Sequence, residues 1–243
     1  MSMTFGRLPS ADLDHLGNAR VVVVGISEAS PYKVGVPSHS ADAPVALRAA
    51  SDGFAGQLRQ FDYDLGRPLY GEEGETYGMV DCGDIDTDPF DAAANRARIT
   101  QGVRRILDVG AVPVILGGDD SVPIPVLQAY EGRGNFTVLQ IDAHADWGDV
   151  IQGNPLGYGS PMRRASEMAW VTGMVQIGLR GLGSGGAWQI RDAKAWGSHL
   201  VESPPADRRR AHHGAGRHHP GADSQAHQEN PGRTGNERAV HHP

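Results

Sequence analysis

The segment VPVILGG, residues 112–118, is a short apolar run that ends in two glycines. Three similar runs are RVVVVG at residues 20–25, FTVLQID at 136–142 and MVQIGLR at 174–180. Runs that are apolar at nearly every position are typical of strands buried on both faces, as in a parallel sheet. We therefore predict that these four segments are strands of one central sheet.

Helical patterns separate the predicted strands. Asp88 followed by Pro89 predicts an N-cap and a first-turn proline. Apolar residues then recur at helical spacing up to Gly110, namely Ile99, Val103, Ile106 and Leu107. Further helices are predicted over residues 43–51, 124–130 and 161–169. The alternation of strands and helices predicts a layered α/β fold.

Length and composition limit the possible classes of protein. A chain of 243 residues is long enough for one large α/β domain. No apolar run approaches the ~20 residues that span a bilayer, which excludes an integral membrane protein. With 22 basic and 29 acidic residues the net charge is -7, so nucleic acid is not the expected partner. Cys82 is the single cysteine, so no intrachain disulfide forms, and the N-terminal sequence lacks a signal-peptide pattern. We expect a cytoplasmic protein.

The composition changes abruptly at residue 202. Residues 202–243 contain seven of the eleven histidines, a single Val and no Leu, Ile, Met, Phe, Tyr or Trp. Such a segment cannot bury a core, so we expect an α/β domain over residues 1–201 and a disordered tail over residues 202–243. One interpretation of the tail is metal capture by histidines. Because the histidines follow no ligand spacing, we favour out-of-frame translation of a GC-rich gene.

Two predicted strands end in acidic clusters, at the sheet edge where ligands bind in α/β folds. The first strand leads into Asp119, Asp120 and Ser121. The second leads into DAHADWGD, residues 142–149. Since alternate residues of an extended segment point to the same side, Asp142, His144 and Asp146 are predicted to converge. Carboxylates with one imidazole suit a divalent ion such as Mn²⁺. Asp119 and Asp149, taken alone, are interpreted as helix caps or solvated loop residues.

These motifs resemble those of a known family. GGDDS, DAHADWGD and YGSPMRRASEM are similar to successive motifs of the ureohydrolases, the arginase and agmatinase family of binuclear manganese enzymes, and ADAPVALRAAS and DCGDI are similar to earlier elements. The resemblance covers about residues 10–200 and is strongest to the agmatinase branch. It implies a three-layer α/β/α fold around a parallel sheet, a homo-oligomer, and hydrolysis of a guanidino group to urea and an amine by a metal-bridging hydroxide.

The resemblance also implies roles for individual residues. Asp142 would bridge two metal ions, His144 would bind one of them and Asp146 the other. Asp120 stands where the family has a histidine ligand, and it is the fourth predicted metal ligand, with oxygen in place of nitrogen. Tyr158 stands where the family has a proton-shuttling histidine. Tyrosine ionises well above neutral pH, so Tyr158 is expected to be a poor proton carrier.

Part of the family pattern has no match in the sequence. The third family motif, S-x-D-x-D-x-x-D-P, and a later guanidinium-binding glutamate are absent from residues 202–243. GDIDTDP at residues 83–89 resembles the motif but lies upstream of GGDDS, so we interpret it as a strand end and a helix cap. The family has two Mn²⁺ ions per subunit. Here half of the metal cage is visible, and we expect one weakly bound ion.

Three functions are compatible with these residues. The first is metal-dependent hydrolysis of a small agmatine-like guanidino substrate. The second is a catalytically silent member that retains metal or subunit binding. The third is a metal-dependent deacetylase, which shares the general architecture. It ranks last because deacetylases carry paired histidines near the site, and no such pair precedes GGDDS.

Overall fold

A computed structural model of the chain describes residues 3–71 and 75–204. Its strands are β1 (Val21–Ile26), β2 (Phe61–Asp62), β3 (Arg67–Pro68), β4 (Met79–Ile85), β5 (Val112–Gly117), β6 (Phe136–Ile141), β7 (Val171–Leu179) and β8 (His199–Glu202). Its helices are α1 (Ala43–Asp52), α2 (Ala92–Asp108), α3 (Pro123–Gln128), α4 (Pro161–Ser166) and α5 (Ala187–Trp196), preceded by a 3-10 turn (Phe5–Arg7).

The strands form two parallel sheets and one short hairpin. The first sheet has the order β4-β1-β5 and the second has the order β6-β7-β8, and every pairing within them is parallel. The antiparallel hairpin joins β2 to β3. The predicted fold class, an α/β protein built on parallel strands with flanking helices, is confirmed. Among the described residues β5 and β6 do not pair, so the single predicted sheet is interrupted at this point.

Both faces of β1 are buried, which explains its nearly continuous apolar sequence. Val22, Val24 and Ile26 pack in one cluster with α2, through residues that include Ile99 and Val103. The opposite face packs against the N-terminal segment and Tyr70. Each fully buried aliphatic side chain contributes about 2 kcal/mol relative to an exposed one. The core therefore lies on both sides of the first sheet, as a layered α/β fold requires.

The predicted start of the long helix was wrong by three residues. α2 begins after Asp91, whose carboxylate accepts a hydrogen bond from the backbone N–H of Ala94 at 2.9 Å. The carboxylate of Asp88 instead accepts the backbone N–H of Phe90, and the side-chain oxygen of Asn95 accepts the backbone N–H of Asp88. Both aspartates satisfy local N–H groups, and the sequence pattern does not say which of them starts the helix.

The second sheet extends further than the sequence indicated. α5 and β8 were not predicted; α5 ends at Gly197, whose φ of 105° is left-handed. Glu202, predicted to begin the tail, is the last residue of β8 and pairs with Leu179. The rest of the predicted tail, from residue 205 onward, lies outside the described residues. No helix in the described part of the chain is both long enough and apolar enough to cross a membrane.

Candidate metal centre

Three carboxylates meet where β5 and β6 end. Asp120 follows β5, and Asp142 and Asp146 follow β6. One carboxylate oxygen of each lies within 4.8 Å of the others, and all three residues are half-buried. Because the two strands run towards the same edge, their tips deliver acidic side chains to one point. The structure therefore brings together three of the four predicted metal ligands.

The carboxylates perturb one another strongly. Burial, followed by the charge of Asp146 and a hydrogen bond to it, raises the pKa of Asp120 to about 8. Burial also raises the pKa of Asp146, and the charge of Asp142 adds to this effect. Without a cation, the cluster must therefore hold a proton at neutral pH to limit its repulsion. A divalent cation relieves the same repulsion, so the donor set fits a hard or intermediate metal ion.

His144 lies outside this cluster. Its side chain is 57% exposed, and its Nδ1 lies 3.2 Å from Asp142 Oδ1. The prediction assumed an extended DAHAD segment, but the chain bends directly after Ile141. Asp142 Oδ1 accepts the backbone N–H of His144 at 2.6 Å, and Asp146 adopts a left-handed φ of 52°. Convergence of Asp142 with Asp146 thus comes from a turn and not from strand alternation.

Two amides orient Asp146, half-buried Gln140 and fully buried Gln176, and neither was predicted from the sequence. Gln140 Nε2 donates to Asp146 Oδ2 at 2.6 Å, and Gln176 Nε2 donates to Gln140 Oε1 at 2.5 Å. The indole N–H of Trp147 and the hydroxyl of Ser198 then donate to Gln176 Oε1, each at 2.9 Å. A single Gln within each of two apolar strands, β6 and β7, is the signal that could have revealed this pair.

Two other aspartates make contacts within the protein. Asp149 is a solvated loop residue, as interpreted from the sequence, whereas Asp119 is buried and is neither a helix cap nor solvated. Asp119 Oδ1 accepts the N–H and the hydroxyl of Ser121, at 3.0 and 2.5 Å. That hydroxyl in turn accepts the N–H of Ser30 at 2.9 Å. Asp149 is exposed and pairs with Arg164 at 2.5 Å. Neither carboxylate belongs to the group of three whose oxygens lie within 4.8 Å of one another.

The upstream acidic motif is also structural. Asp81 is completely buried and accepts two hydrogen bonds from Arg48, at 2.8 and 3.0 Å. Arg48 also pairs with Asp84 and donates to the carbonyl of Gly83. These ion pairs join α1 to β4. They engage Asp81 and Asp84, the first two carboxylates of residues 81–89. GDIDTDP therefore contains the end of β4, as interpreted, but the helix cap is Asp91, which lies beyond the motif.

A cavity of about 680 Å³ opens above the carboxylate cluster. Its lining includes all three clustered aspartates, and His39 and Tyr158 lie across from them. The ring of Tyr158 stacks edge-on against Tyr32, with centroids 4.4 Å apart, and lies 5.6 Å from the ring of His39. The Tyr32 hydroxyl accepts the N–H of Gly159 at 3.1 Å. Tyr158 thus faces the cavity, and a histidine ring lies beside it.

Comparison with known proteins points to one family. Residues 18–218 match the model of the arginase family. The chain is 34% identical over 190 residues to a guanidinobutyrase of Pseudomonas aeruginosa, which covers 74% of this chain and 54% of that protein. It is 34% identical over 106 residues to a mitochondrial agmatinase of Gallus gallus, covering 42% of this chain and 31% of that protein.

A solved structure shows the same fold. The proclavaminate amidino hydrolase of Streptomyces clavuligerus superimposes with a TM-score of 0.66 at 26% identity. The superposition covers 86% of this chain and 64% of that one. The chain thus spans between about a third and two thirds of the length of the relatives that it matches.

Proposed function

Because the chain belongs to the arginase family, whose model matches residues 18–218, we propose that it acts on a small guanidino compound. The proposed reaction is metal-dependent hydrolysis of an agmatine-like substrate, which releases urea and an amine. The similar guanidinobutyrase and agmatinase are named for small guanidino substrates, which supports this class of substrate. The acyl or amine tail of the substrate is left open.

One observation carries the proposal. Asp120, Asp142 and Asp146 place carboxylate oxygens within 4.8 Å of one another at the floor of a 680 Å³ cavity. Three half-buried carboxylates repel each other, and neutralising this repulsion is the physical basis of a divalent-cation site. We propose Mn²⁺, because carboxylate oxygens with an imidazole nearby suit an ion of intermediate hardness.

Different residues of the chain would bind the metal ion and position its ligands. Asp120, Asp142 and Asp146 would hold the ion, and Gln140 would keep Asp146 turned towards it through the 2.6 Å hydrogen bond. When bound, the ion supplies Lewis acidity, which activates water for attack on the guanidinium carbon. The same carboxylates give the cavity floor a negative charge, which attracts a cationic guanidinium group.

Two further residues face the substrate side of the cavity. Tyr158 stands at the position that the resemblance assigns to a proton shuttle. Its neighbour His39 brings an imidazole, which is better suited to proton transfer at neutral pH, to a ring separation of 5.6 Å. His144 is exposed at the rim, where a rotation of its side chain would be needed before it could join Asp142 as a ligand.

A second candidate is a silent family member that binds metal without turnover. The observation in its favour is the small ligand set. Within residues 3–71 and 75–204, three carboxylates cluster and no further His, Cys, Asp or Glu joins them. Such a set holds one ion more readily than two. For the whole protein we also propose a cytoplasmic homo-oligomer without nucleic-acid or membrane partners. The family resemblance suggests the oligomer, and the net charge of -7 argues against binding to nucleic acid.

Urea release by the full chain tests the proposal. We expect Mn²⁺-dependent release from agmatine or 4-guanidinobutyrate, lost in Asp142→Asn and retained in Asp149→Asn. Asp149 is the matched control because it lies on the same loop but pairs with Arg164. Equilibrium dialysis should show Mn²⁺ uptake that Asp142→Asn abolishes.

Uptake without urea release would favour the silent member. Equal uptake by the wild-type protein and by Asp142→Asn would refute the proposed metal centre.

A further inference from the structure

The hydrogen bonds behind Asp146 form a row across the second sheet. Gln140 of β6 is in register with Gln176 of β7, so both side chains project from the same face of the sheet. Gln176 is in turn in register with Leu200 of β8, and Ser198 lies just before that strand. The row therefore connects Ser198, beside the last strand of the sheet, with the carboxylate of Asp146.

Two neighbouring groups fix the orientation of the Gln176 amide. The indole N–H of Trp147 can only donate, and it meets Gln176 Oε1 at 2.9 Å. The backbone carbonyl of Ala145 can only accept, and it meets Gln176 Nε2 at 2.8 Å. Exchanging the oxygen and nitrogen of this completely buried amide would set donor against donor and acceptor against acceptor, which is costly. The Gln176 side chain is therefore held in one orientation.

The orientation of Gln176 determines the orientation of Gln140. Gln176 Nε2 donates to Gln140 Oε1 at 2.5 Å, so the oxygen of the Gln140 amide must face Gln176. The amide nitrogen of Gln140 then faces Asp146 and donates to its Oδ2 at 2.6 Å. The opposite orientation of Gln140 would bring an amide oxygen against a carboxylate oxygen, and the two would repel each other. Asp146 therefore always meets a donor at this position.

Ser198 gives Gln176 Oε1 a second donor because of the way in which α5 ends. Gly197 has a left-handed φ of 105°, and the N–H of Ser198 donates to the carbonyl of Ala193 at 2.9 Å. Glycine is favoured in such a helix end because it adopts a positive φ without strain. The turn leaves Ser198 only 7% exposed, with its hydroxyl 2.9 Å from Gln176 Oε1. The end of α5 is therefore connected to the carboxylate cluster.

We propose that Trp147 and Ser198 are positioning residues of the metal centre. They act through the amides of Gln176 and Gln140, which pass the direction of their hydrogen bonds on to Asp146. Asp146 lies in a bend with a φ of 52°, so no strand holds its side chain. A carboxylate that is oriented in advance loses less rotamer freedom when it binds a cation. The inference rests on the metal centre of the proposed function, but it does not require turnover.

The test compares variants that differ in single donor groups. Trp147→Phe keeps an aromatic ring in the core and removes the indole N–H. In that background, Ser198→Ala takes the second donor from Gln176 Oε1, whereas Ser198→Thr keeps the hydroxyl. Trp196→Phe is the matched control, because Trp196 packs against the core cluster that contains Trp147 but donates to the carbonyl of Ser166 at 2.9 Å.

Equilibrium dialysis of the full chain with Mn²⁺ alone measures the effect on the metal centre. We expect the Trp147→Phe/Ser198→Ala variant to bind Mn²⁺ about tenfold or more weakly than the wild-type protein, as is usual when the partners that orient a metal ligand are removed. The Trp147→Phe/Ser198→Thr variant should recover most of this affinity. Trp196→Phe should bind Mn²⁺ as the wild-type protein does. Circular dichroism at the assay temperature shows whether each variant is folded.

A second measurement needs no metal. It follows the exchange of the Gln140 side-chain amide protons with solvent, by NMR of isotope-labelled protein in the presence of a chelator. We expect this exchange to be about tenfold or more faster in the Trp147→Phe/Ser198→Ala variant, because Gln140 then no longer has a single orientation. The Trp147→Phe/Ser198→Thr variant should restore slow exchange, and Trp196→Phe should not change it.

Three results would overturn the proposal. The first is equal Mn²⁺ affinity of the folded Trp147→Phe/Ser198→Ala variant and the wild-type protein. The second is equal affinity with Ser198→Ala and with Ser198→Thr, because the hydroxyl would then have no role. The third is an equal loss in Trp196→Phe, because general loosening of the core would explain it. If the wild-type protein takes up no Mn²⁺, the proposed metal centre fails, and the exchange of the Gln140 amide protons alone decides whether Trp147 and Ser198 orient Gln140.

Discussion

Replacing Asp120 by Asn should stabilise the metal-free protein at pH 8 and at the same time abolish stabilisation by Mn²⁺. Asp120 has an ordinary pKa of 3.8, and burial together with the nearby Asp146 and Asp142 raises the folded-state value to about 8. Between these values the folded protein keeps a proton that the unfolded chain has released. Stability must therefore fall as the pH rises through this window, and the loss is complete above the folded-state pKa.

The size of the effect follows from the width of that window. Each pKa unit is worth ~1.4 kcal/mol, so the interval from 3.8 to about 8 sets an upper bound of roughly 5 to 6 kcal/mol. Asp120 is only half-buried and borders a 680 Å³ cavity, so water screens part of the repulsion. We expect about 2 kcal/mol at pH 8 and no difference at pH 4.

The assay is urea denaturation with a chelator present, at pH 4, 6 and 8. Asp149→Asn serves as the control, because it removes an exposed carboxylate outside the cluster. The difference between each variant and the wild-type protein isolates Asp120 from other titrating groups. With excess Mn²⁺ at pH 8, the wild-type protein should gain stability and Asp120→Asn should not. If Asp120→Asn destabilises the chelated protein equally at all three pH values, repulsion within the cluster is not what perturbs Asp120.

Three other expectations concern the supports of the site and the end of the chain. Gln140→Leu should weaken Mn²⁺ binding by ~10-fold or more in equilibrium dialysis, because Asp146 loses the donor that orients it. Arg48→Met should cost about 3 to 5 kcal/mol in urea denaturation, because it leaves the charge of Asp81 buried and unpaired. Arg7→Met, which removes an exposed ion pair with Asp52, should have a much smaller effect. Limited proteolysis should cut within residues 205–243 first, and resistance there would contradict the expectation from their composition.

The strands could be predicted because a strand buried on both faces is apolar at nearly every position. Residues 20–25 and 112–118 were predicted as strands. β1 is shifted by one residue from the first range, and β5 ends one residue before the second. β8 escaped prediction because HLVE is short and half polar. The start of α2 was misplaced because both Asp88 and Asp91 can accept backbone N–H groups. In the structure Asn95 of α2 bonds the backbone of Asp88, and Asp91 caps the helix.

The site was predictable in part, for a reason that the DAHAD segment illustrates. The types of residue and their position after a strand identify Asp142 and Asp146 as neighbours. The way they meet depends on a bend and on a positive φ at Asp146, which sequence alternation does not encode. Gln140 and Gln176 were missed because their hydrogen bond joins two strands distant in sequence. Contacts that require a register between strands are the ones that a single sequence leaves open.

The small number of metal ligands and the open groove between β5 and β6 have the same geometric cause. In a parallel sheet, side chains that follow neighbouring strands meet at the carboxyl edge, so the number of ligands grows with the number of adjacent strands. Here two strands, β5 and β6, supply three carboxylates, and the groove between them ends at Asp120 and Asp142. Substitutions elsewhere in the cavity, such as Tyr158→His, would leave both features unchanged.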